Sequence, residues 1–312
     1  MNRVLVTGAS GFVGRHCLPL LLDQGYEVHG LCRDPERCPI SDVVWHGVDL
    51  LQPGCVSELL RHLQPQYLLH LAWYAVPGRF WEARENLEWL RASLELLSGF
   101  TNNGGARLVA AGSCAEYDWN AGECQEDITP LRPTTLYGTS KHALQQIVHS
   151  YGSQTGLSSA WGRIFFLYGP HEHPSRLVAY VVRSLLNGEP AICSDGLQAR
   201  DFMHVQDAAA AFVALLGSQV EGPVNIASGS SVSVRQVLNE IAQQLGRAHL
   251  LRVGARRSPP EAVRITASVR KLREEVGCVP HYDLSGGIGQ TIQWWRHSLN
   301  RDQCLAPGVG GH

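Results

Sequence analysis

The stretch Arg3-Val4-Leu5-Val6-Thr7-Gly8-Ala9-Ser10-Gly11-Phe12-Val13-Gly14 decides the fold of this chain. An apolar run of strand length leads into three glycines at Gly-x-x-Gly-x-x-Gly spacing, and residues 15–24 then carry apolar side chains at helical spacing. A second apolar run of strand length, residues 27–32, follows. Strand, glycine turn, helix and strand in this order are typical of the βαβ unit that begins a nucleotide-binding domain.

Outside this stretch, strands and helices go on alternating through the first half of the chain. We therefore expect an α/β fold, with a Rossmann doubly wound parallel sheet over residues 1–168. Residues 169–312 are predicted to form a smaller mixed α/β substrate lobe, with segments around 200–225 returning to the first domain. The glycine-rich tail 306–312 is predicted to be disordered. The other predicted strands are 43–45, 67–71, 107–111 and 159–167, and the predicted helices are 15–24, 55–63, 87–100, 140–152, 177–187, 208–216, 233–245 and 268–276.

Composition excludes several classes of protein. The 312 residues are 44% hydrophobic and carry a net charge of -2 without a basic stripe, which argues for a well-packed core and against nucleic-acid binding. The longest apolar stretches are far shorter than the ~20 residues needed to cross a bilayer, and a strand begins too early for a signal peptide. The nine cysteines form no Cys-x-x-Cys pair, so neither a metal site nor a disulfide framework is predicted. We expect a cytoplasmic protein with reduced thiols.

The glycine turn predicts a dinucleotide site. Glycine at positions 8, 11 and 14 permits a tight turn, close approach of backbone N–H groups to a pyrophosphate, and close packing of helix on strand. Where an acidic residue at the end of the second strand would favour NAD, this chain has Cys32 and then Arg33. An arginine suits the 2′-phosphate that distinguishes NADP from NAD, so NADP(H) is favoured over NAD(H). The alternative is that Arg33 is a solvated loop residue. The predicted cofactor contacts in this region are Gly8, Ser10, Gly11, Phe12, Val13, Gly14 and Arg33.

Tyr137 and Lys141 stand four residues apart near the start of a predicted helix, which puts phenol and ammonium on one face. A tyrosine normally titrates near pH ~10, and a neighbouring ammonium favours its phenolate. The pair therefore predicts an acid/base that moves a proton while a hydride moves to or from carbon.

With these motifs in place, the chain resembles the extended short-chain dehydrogenase/reductases that act on nucleotide sugars, over nearly its whole length. The segments 70–72, 163–170 and 200–207 match three further motifs of that family in order. The resemblance implies that Asp49 and Leu50 cradle the adenine. It also implies a third catalytic residue, Ser113, which follows a strand and stands four positions before a tyrosine. The remaining contacts that it implies are Leu71, Ala72, Trp73, Tyr137 and Lys141 for the cofactor, and Tyr74, Asn86, Ser113, Phe166, Arg200 and Arg264 for the substrate.

The departures from the family pattern indicate the reaction. Dehydratases of this family carry a carboxylate two positions after the Ser or Thr, where this chain has Ala115, and commonly an acid at the position of Cys114. Glu116 is displaced by one position, and we interpret it as solvated or structural, so 4,6-dehydration is disfavoured. An epimerase keeps NAD bound, whereas a reductase needs an exchangeable reducing cofactor. The arginine after the second strand therefore favours NADPH-dependent reduction of a nucleotide-diphosphate 4-keto (6-deoxy) sugar at C4, with an NAD-dependent 4-epimerase as the alternative.

Two other classes stay open at this stage. A non-catalytic NADP-sensing protein would share the fold, but such proteins generally lack the Tyr137/Lys141 pair. A dehydrogenase of small hydroxy acids or alcohols would need neither Arg200 nor a large second lobe. Arg200 and Arg264 together would match the charge and bidentate geometry of a diphosphate. The resemblance also implies a homodimer formed through the helices predicted at 87–100 and 140–152.

Overall fold

Strand β1 (Arg3–Thr7) lies inside a seven-stranded parallel sheet with the order β11-β7-β5-β4-β1-β2-β3. This computed structural model describes residues 2–38, 40–257 and 262–305. The predicted disorder of the tail 306–312 lies outside the described residues. The remaining strands are β2 (Glu27–Cys32), β3 (Val44–Gly47), β4 (Tyr67–His70), β5 (Arg107–Ser113), β6 (Glu123–Cys124), β7 (Ser158–Ile164), β8 (Phe166–Tyr168), β9 (Ala191–Ile192), β10 (Ala199–His204), β11 (Gly222–Ile226), β12 (Ser231–Ser233), β13 (Leu251–Arg252) and β14 (Arg264–Ala267).

Helices cover both faces of the large sheet, as the predicted doubly wound fold requires. One face packs its apolar side chains against α1 and α6, and the other packs against α2, α3 and α4. A third apolar cluster joins α5, α7 and α9 in the second lobe, beside a smaller sheet built around β10. The helices are α1 (Gly14–Asp23), α2 (Ser57–Leu63), α3 (Glu85–Asn102), α4 (Leu136–Thr155), α5 (Leu177–Leu186), α6 (Val205–Gly217), α7 (Val234–Gln244), α8 (Arg270–Glu274) and α9 (Leu284–Leu305).

Several elements differ from the sequence prediction. Strands β6 and β9 to β14 were not predicted, and two further differences have a clear physical cause. The strand predicted at 159–167 is two strands, because β7 pairs with β5 and β11 in the large sheet whereas β8 pairs with β10 in the smaller one. Helix α9 was not predicted, since Gly286, Gly287 and Gly289 weaken helical propensity in its first turns. Packing explains Gly287: a Cβ there would overlap the hydroxyl of Tyr168.

The topology fixes where a ligand site lies. Strands β1, β2, β4 and β5 are parallel, so their carboxyl ends meet at one edge of the sheet. In open α/β sheets, ligands bind in the crevice at this edge. β11 and α6, which come late in the chain, pack on the first-half elements β7 and α1. No helix among the described residues has the length and apolarity needed to cross a bilayer.

Candidate active site

The glycine turn lies between β1 and α1 and has the shape of an anion cradle. Gly8 has φ +66°, and the Gly11 N–H donates to its carbonyl over 2.9 Å. A Cβ on Gly14 would overlap that same carbonyl, so α1 packs on the strand only with glycine there. No side chain caps the first turn of α1, and no acidic residue lies in it. The partial positive charge of this helix end therefore fits the pyrophosphate of a dinucleotide.

The end of β4 lies directly against this turn. The N–H of Ala72 donates to the hydroxyl of Thr7 over 3.2 Å, and a Cβ on Gly8 would come within 2.8 Å of the same nitrogen. Leu71 and Ala72 therefore adjoin the glycine turn, where their predicted cofactor contacts would place them. His70 is buried between Thr7 and Ser93 and is hydrogen-bonded to both hydroxyls. Burial, with Lys141 as the second cause, lowers the pKa of His70 to about 3, so this ring is neutral.

At the far side of the cradle, β2 ends with buried Cys32, and exposed Arg33 follows. Among the described residues, no carboxylate stands at the end of β2 itself. Asp49 follows β3, where its carboxylate accepts the N–H of Leu51 over 3.1 Å, and the Leu50 side chain is buried. Arg33 is thus exposed and directly follows the strand next to β1, and both its predicted contact with NADP and the solvated alternative remain predictions.

Three polar side chains meet where β5 ends. Ser113 is the last residue of β5, and its hydroxyl is near enough to the Tyr137 hydroxyl to favour the phenolate. Helix α4 begins at Leu136, four residues before the predicted start, because Thr135 caps it by accepting the N–H of Gly138. Tyr137 is therefore in the first turn of α4, with Lys141 one turn further on. The Lys141 ammonium is 3% exposed and donates to the Ala111 carbonyl over 2.7 Å.

Burial is the largest cause of the pKa shifts of Tyr137 and Lys141. It raises the pKa of Tyr137 to about 12, against an opposing contribution from the Ser113 hydroxyl. It lowers the pKa of Lys141 to about 7, against an opposing contribution from Glu116. Without ligands the phenol therefore keeps its proton, and the lysine is divided between its charged and neutral forms near neutral pH.

Glu116 is structural, as expected, but it is fully buried rather than solvated. Its carboxylate accepts the Ser113 N–H over 2.7 Å, the Trp161 indole N–H over 2.9 Å and the Arg163 Nε–H over 2.8 Å. These donors occupy both oxygens, so the carboxylate is held away from the substrate side. Sequence reasoning missed the buried Glu116–Arg163 ion pair, which only the pairing of β5 with β7 brings together.

The aromatic loop after β4 encloses the Tyr137–Lys141 pair. The Trp73 ring lies over the Lys141 ammonium, with 3.8 Å from Nζ to the ring centroid. The rings of Phe80 and Trp81 meet the Tyr137 ring edge-on at centroid distances of 4.9 Å and 5.8 Å. The aromatic residues of 73–81 are visible in the sequence, but their contact with the start of α4 depends on the fold.

The substrate contact predicted for Asn86 stays a prediction, and the structure gives this side chain partners within the protein. It is fully buried: Oδ1 accepts the Trp73 indole N–H over 2.9 Å, and Nδ2 donates to the carbonyls of Phe80 and Ala83. Asn86 therefore holds the aromatic loop. Tyr74 is half-buried in the same loop, and its substrate contact stays a prediction.

The two arginines predicted to bind a diphosphate project from different faces of the smaller sheet, and their substrate contacts stay predictions. Arg200 pairs with Ile265 across the β10–β14 ladder, so Arg264, one residue earlier, projects to the opposite face of the sheet. Arg264 is exposed, whereas Arg200 is buried and donates to the Ala199 and Ala262 carbonyls. Half-buried Phe166 lies 5.5 Å from the Arg200 guanidinium, measured to the ring centroid, so these two predicted substrate residues adjoin each other.

The protonation of Lys141 predicts a pH-dependent stability. In the unfolded chain a lysine titrates near pH ~10.4, so between pH 7 and 10 the unfolded state binds a proton that the folded state lacks. The stability of the ligand-free protein should therefore gain a contribution that rises with pH over this range. In Lys141→Met this contribution should vanish, and the melting temperature below pH 7 should exceed that of the unmodified protein. Thermal melts from pH 6 to 9.5 measure both.

Lys271 provides the matched control, because it is the only other lysine of the chain and donates to a surface carbonyl, that of Glu221. Lys271→Met should leave the pH dependence of melting unchanged. Equal pH dependence in Lys141→Met and the unmodified protein would contradict the burial of a titrating ammonium.

Comparisons with known proteins show the family of this chain. A family model described as "NAD dependent epimerase/dehydratase family" matches residues 4–227. The UDP-glucuronic acid decarboxylase 1 of Xenopus tropicalis is 26% identical over 318 residues, which cover 96% of this chain and 73% of the relative. The UDP-glucose 4-epimerase of Azospirillum brasilense is 26% identical over 338 residues, which cover 99% of this chain and 96% of the relative. Among solved structures, MoeE5 in complex with UDP-glucose and NAD matches with a TM-score of 0.83 and 30% identity, covering 96% of this chain and 100% of MoeE5.

Proposed function

Because the chain belongs to the NAD-dependent epimerase/dehydratase family, we propose that it is an NAD(P)-dependent oxidoreductase that acts at C4 of a nucleoside-diphosphate sugar. Within that activity, we propose NADPH-dependent reduction of a 4-keto, 6-deoxy sugar. The observation that carries the proposal is the meeting of Ser113, Tyr137 and Lys141 beside the glycine turn, with Tyr137 in its protonated form.

Each of these residues has a separate role in the proposed mechanism. The residues Gly8 to Gly14, with Leu71 and Ala72, would bind the dinucleotide. A nicotinamide, when bound, supplies the hydride. The Ser113 and Tyr137 hydroxyls would hold the C4 oxygen of the sugar, and Tyr137 would give its proton to that oxygen as it becomes a hydroxyl. The Lys141 ammonium, one helical turn away, would stabilise the phenolate that remains.

The protonated form of Tyr137 is compatible with reduction of a ketone. A pKa of about 12 keeps the phenol protonated at neutral pH, which suits a group that donates a proton to a ketone. Oxidation of a C4 hydroxyl would need the phenolate instead.

Dehydration is disfavoured by the residues that follow Ser113. Elimination across C5 and C6 requires a base, and Cys114 and Ala115 offer none. The carboxylate of Glu116 is already bonded to three donors within the protein.

Arg33 supports NADPH as the cofactor, and replacing it tests the preference. Loss of a charge-assisted hydrogen bond to the 2′-phosphate should lower kcat/KM for NADPH by about 10- to 100-fold in Arg33→Ala. The value for NADH should change less than about threefold, because NADH lacks that phosphate. Arg61→Ala, which removes an exposed arginine of α2, is the control. An unchanged ratio of NADPH to NADH efficiency would make Arg33 a solvated loop residue.

A second candidate, an NAD-dependent 4-epimerase of a UDP-hexose, is favoured by the comparisons. The Azospirillum relative is named a UDP-glucose 4-epimerase, and MoeE5 was solved with UDP-glucose and NAD.

The deciding experiment has two assays. The first supplies NADPH or NADH with a panel of nucleoside-diphosphate 4-keto-6-deoxy sugars, and the second supplies UDP-hexoses without added cofactor. Mass spectrometry and NMR identify the products of both. Stoichiometric oxidation of NADPH supports the reductase. Inversion of UDP-hexoses at C4 by protein carrying tightly bound NAD supports the epimerase instead.

We also propose a homodimer formed through α3 and α4. The two helices pack against each other, and Leu87 on α3 and Ile147 on α4 are 56% and 40% exposed, respectively. Apolar side chains on two adjoining helices suit a symmetric contact with a second copy. Sedimentation velocity tests the proposal by giving the mass in solution.

A further inference from the structure

The contacts of Trp73 go beyond those expected of a residue that merely lines a cofactor cleft. Its ring covers the Lys141 ammonium at 3.8 Å, while Nζ donates to the Ala111 carbonyl over 2.7 Å. Among the described residues, the carboxylate that raises the pKa of Lys141 is that of Glu116, and it is bonded to Arg163. The buried ammonium thus contacts a carbonyl and the Trp73 ring, with the Trp161 ring further away at 6.0 Å, and within the part of the chain that the structure describes it forms no ion pair with a carboxylate.

The indole is itself fixed in place. Its N–H donates to Oδ1 of Asn86 over 2.9 Å, and Asn86 is fully buried and anchored by the Phe80 and Ala83 carbonyls. Phe80 also packs against Tyr137. The Asn86 amide therefore links the Trp73 ring, which covers Lys141, to the Phe80 ring, which contacts Tyr137. The orientation of both members of the pair therefore depends on the same short loop.

We propose that Trp73 is a positioning residue: held by Asn86, its indole face fixes the Lys141 ammonium in one place and stabilises its charged form. The proposal rests on the proposed function in one respect: Lys141 is taken as the ammonium that stabilises the Tyr137 phenolate. A cation over the face of an indole is stabilised by the electron-rich ring, and more so when water is excluded.

The stabilisation by Trp73 matters because the pKa of Lys141 lies close to neutral pH. Burial lowers the pKa of Lys141 to about 7, so a modest loss of stabilisation would leave most of the lysine neutral at neutral pH. The titratable groups facing it are Glu116 after β5, His70 on β4 and Tyr137 on its own helix. His70 and Tyr137 are neutral near pH 7, and the charge of Glu116 is bonded elsewhere. Removing the indole should therefore change the pKa of Lys141 without a compensating titration nearby.

The test reads the lysine directly in the free protein. Because the chain has two lysines, protein labelled with ¹³C,¹⁵N-lysine gives two Nζ signals, and Lys141→Met assigns them. The Lys141 signal should titrate with a midpoint near 7 in the unmodified protein. In Trp73→Leu the midpoint should fall by about one pH unit, and in Trp73→Phe, which keeps an aromatic face, by less. The Lys271 signal should titrate identically in every variant.

Trp89→Leu is the matched control, because it removes an indole whose centroid is 6.5 Å from that of Trp73 and which does not cover the ammonium. Its Lys141 midpoint should equal that of the unmodified protein. The affinity for NAD⁺, measured as a function of pH, is a second readout. Its pH midpoints should fall in the same order: unmodified protein highest, then Trp73→Phe, then Trp73→Leu. A midpoint in Trp73→Leu that stays in place or rises would overturn the proposal. Neither readout requires turnover of a sugar, so failure of the proposed reaction would be seen separately.

Discussion

Replacing Tyr137 with phenylalanine should lower kcat/KM by about 10²- to 10⁴-fold, the range lost when a positioned general acid is removed. The variant keeps the ring, and therefore the edge contacts with Phe80 and Trp81, while losing the hydroxyl that would donate the proton. Affinity for the dinucleotide and the melting temperature should stay close to those of the unmodified protein. Steady-state kinetics with the substrate found in the panel, together with calorimetric titration of the cofactor, measure both.

Tyr151→Phe makes the same chemical change on the same helix, away from the end of β5, and should leave kcat/KM unchanged. If Tyr137→Phe retained more than about a tenth of the original kcat/KM, the proton would have to come from another group. The Ser113 hydroxyl would then be the first to examine.

The second large effect is on stability. Glu116→Gln should lower the free energy of unfolding by about 3–5 kcal/mol, because it leaves the Arg163 guanidinium buried without its charge partner. Arg163 is 1% exposed and also donates to the Tyr117 hydroxyl, so it has no route to water. Urea unfolding followed by circular dichroism measures the loss.

Two further variants make this result specific. Glu58→Gln removes an exposed carboxylate from a surface pair and should change the free energy of unfolding by less than about 0.5 kcal/mol. Combining Glu116→Gln with Arg163→Met should recover part of the loss, because the unpaired charge is then removed as well. A loss below about 1 kcal/mol in Glu116→Gln alone would show that water reaches this pair.

Much of the fold was predictable because its signals are local. The hydrophobic period and the glycine spacing predicted β1, the glycine turn, α1 and β2, since each depends on residues adjacent in sequence. The α/β class, the Rossmann sheet and the family resemblance are confirmed by the topology and by the comparisons. Helix α9 escaped prediction because packing against Tyr168, rather than local propensity, favours the glycine in its first turn.

The candidate site likewise has features that the sequence predicts and features that only packing decides. The amino-acid sequence by itself determined the glycine turn, the four-residue spacing of Tyr137 and Lys141, and the missing carboxylate after Ser113, because each is a matter of residue type and spacing along one segment. Only the tertiary structure decided that Trp73 covers Lys141, that Glu116 is neutralised by Arg163, that Asn86 faces inward, and that Arg200 and Arg264 lie on opposite faces of a sheet. Each of these depends on strand register or on a loop meeting a distant helix. Burial then sets the charge of the groups involved, and burial is a property of the packed chain rather than of any segment.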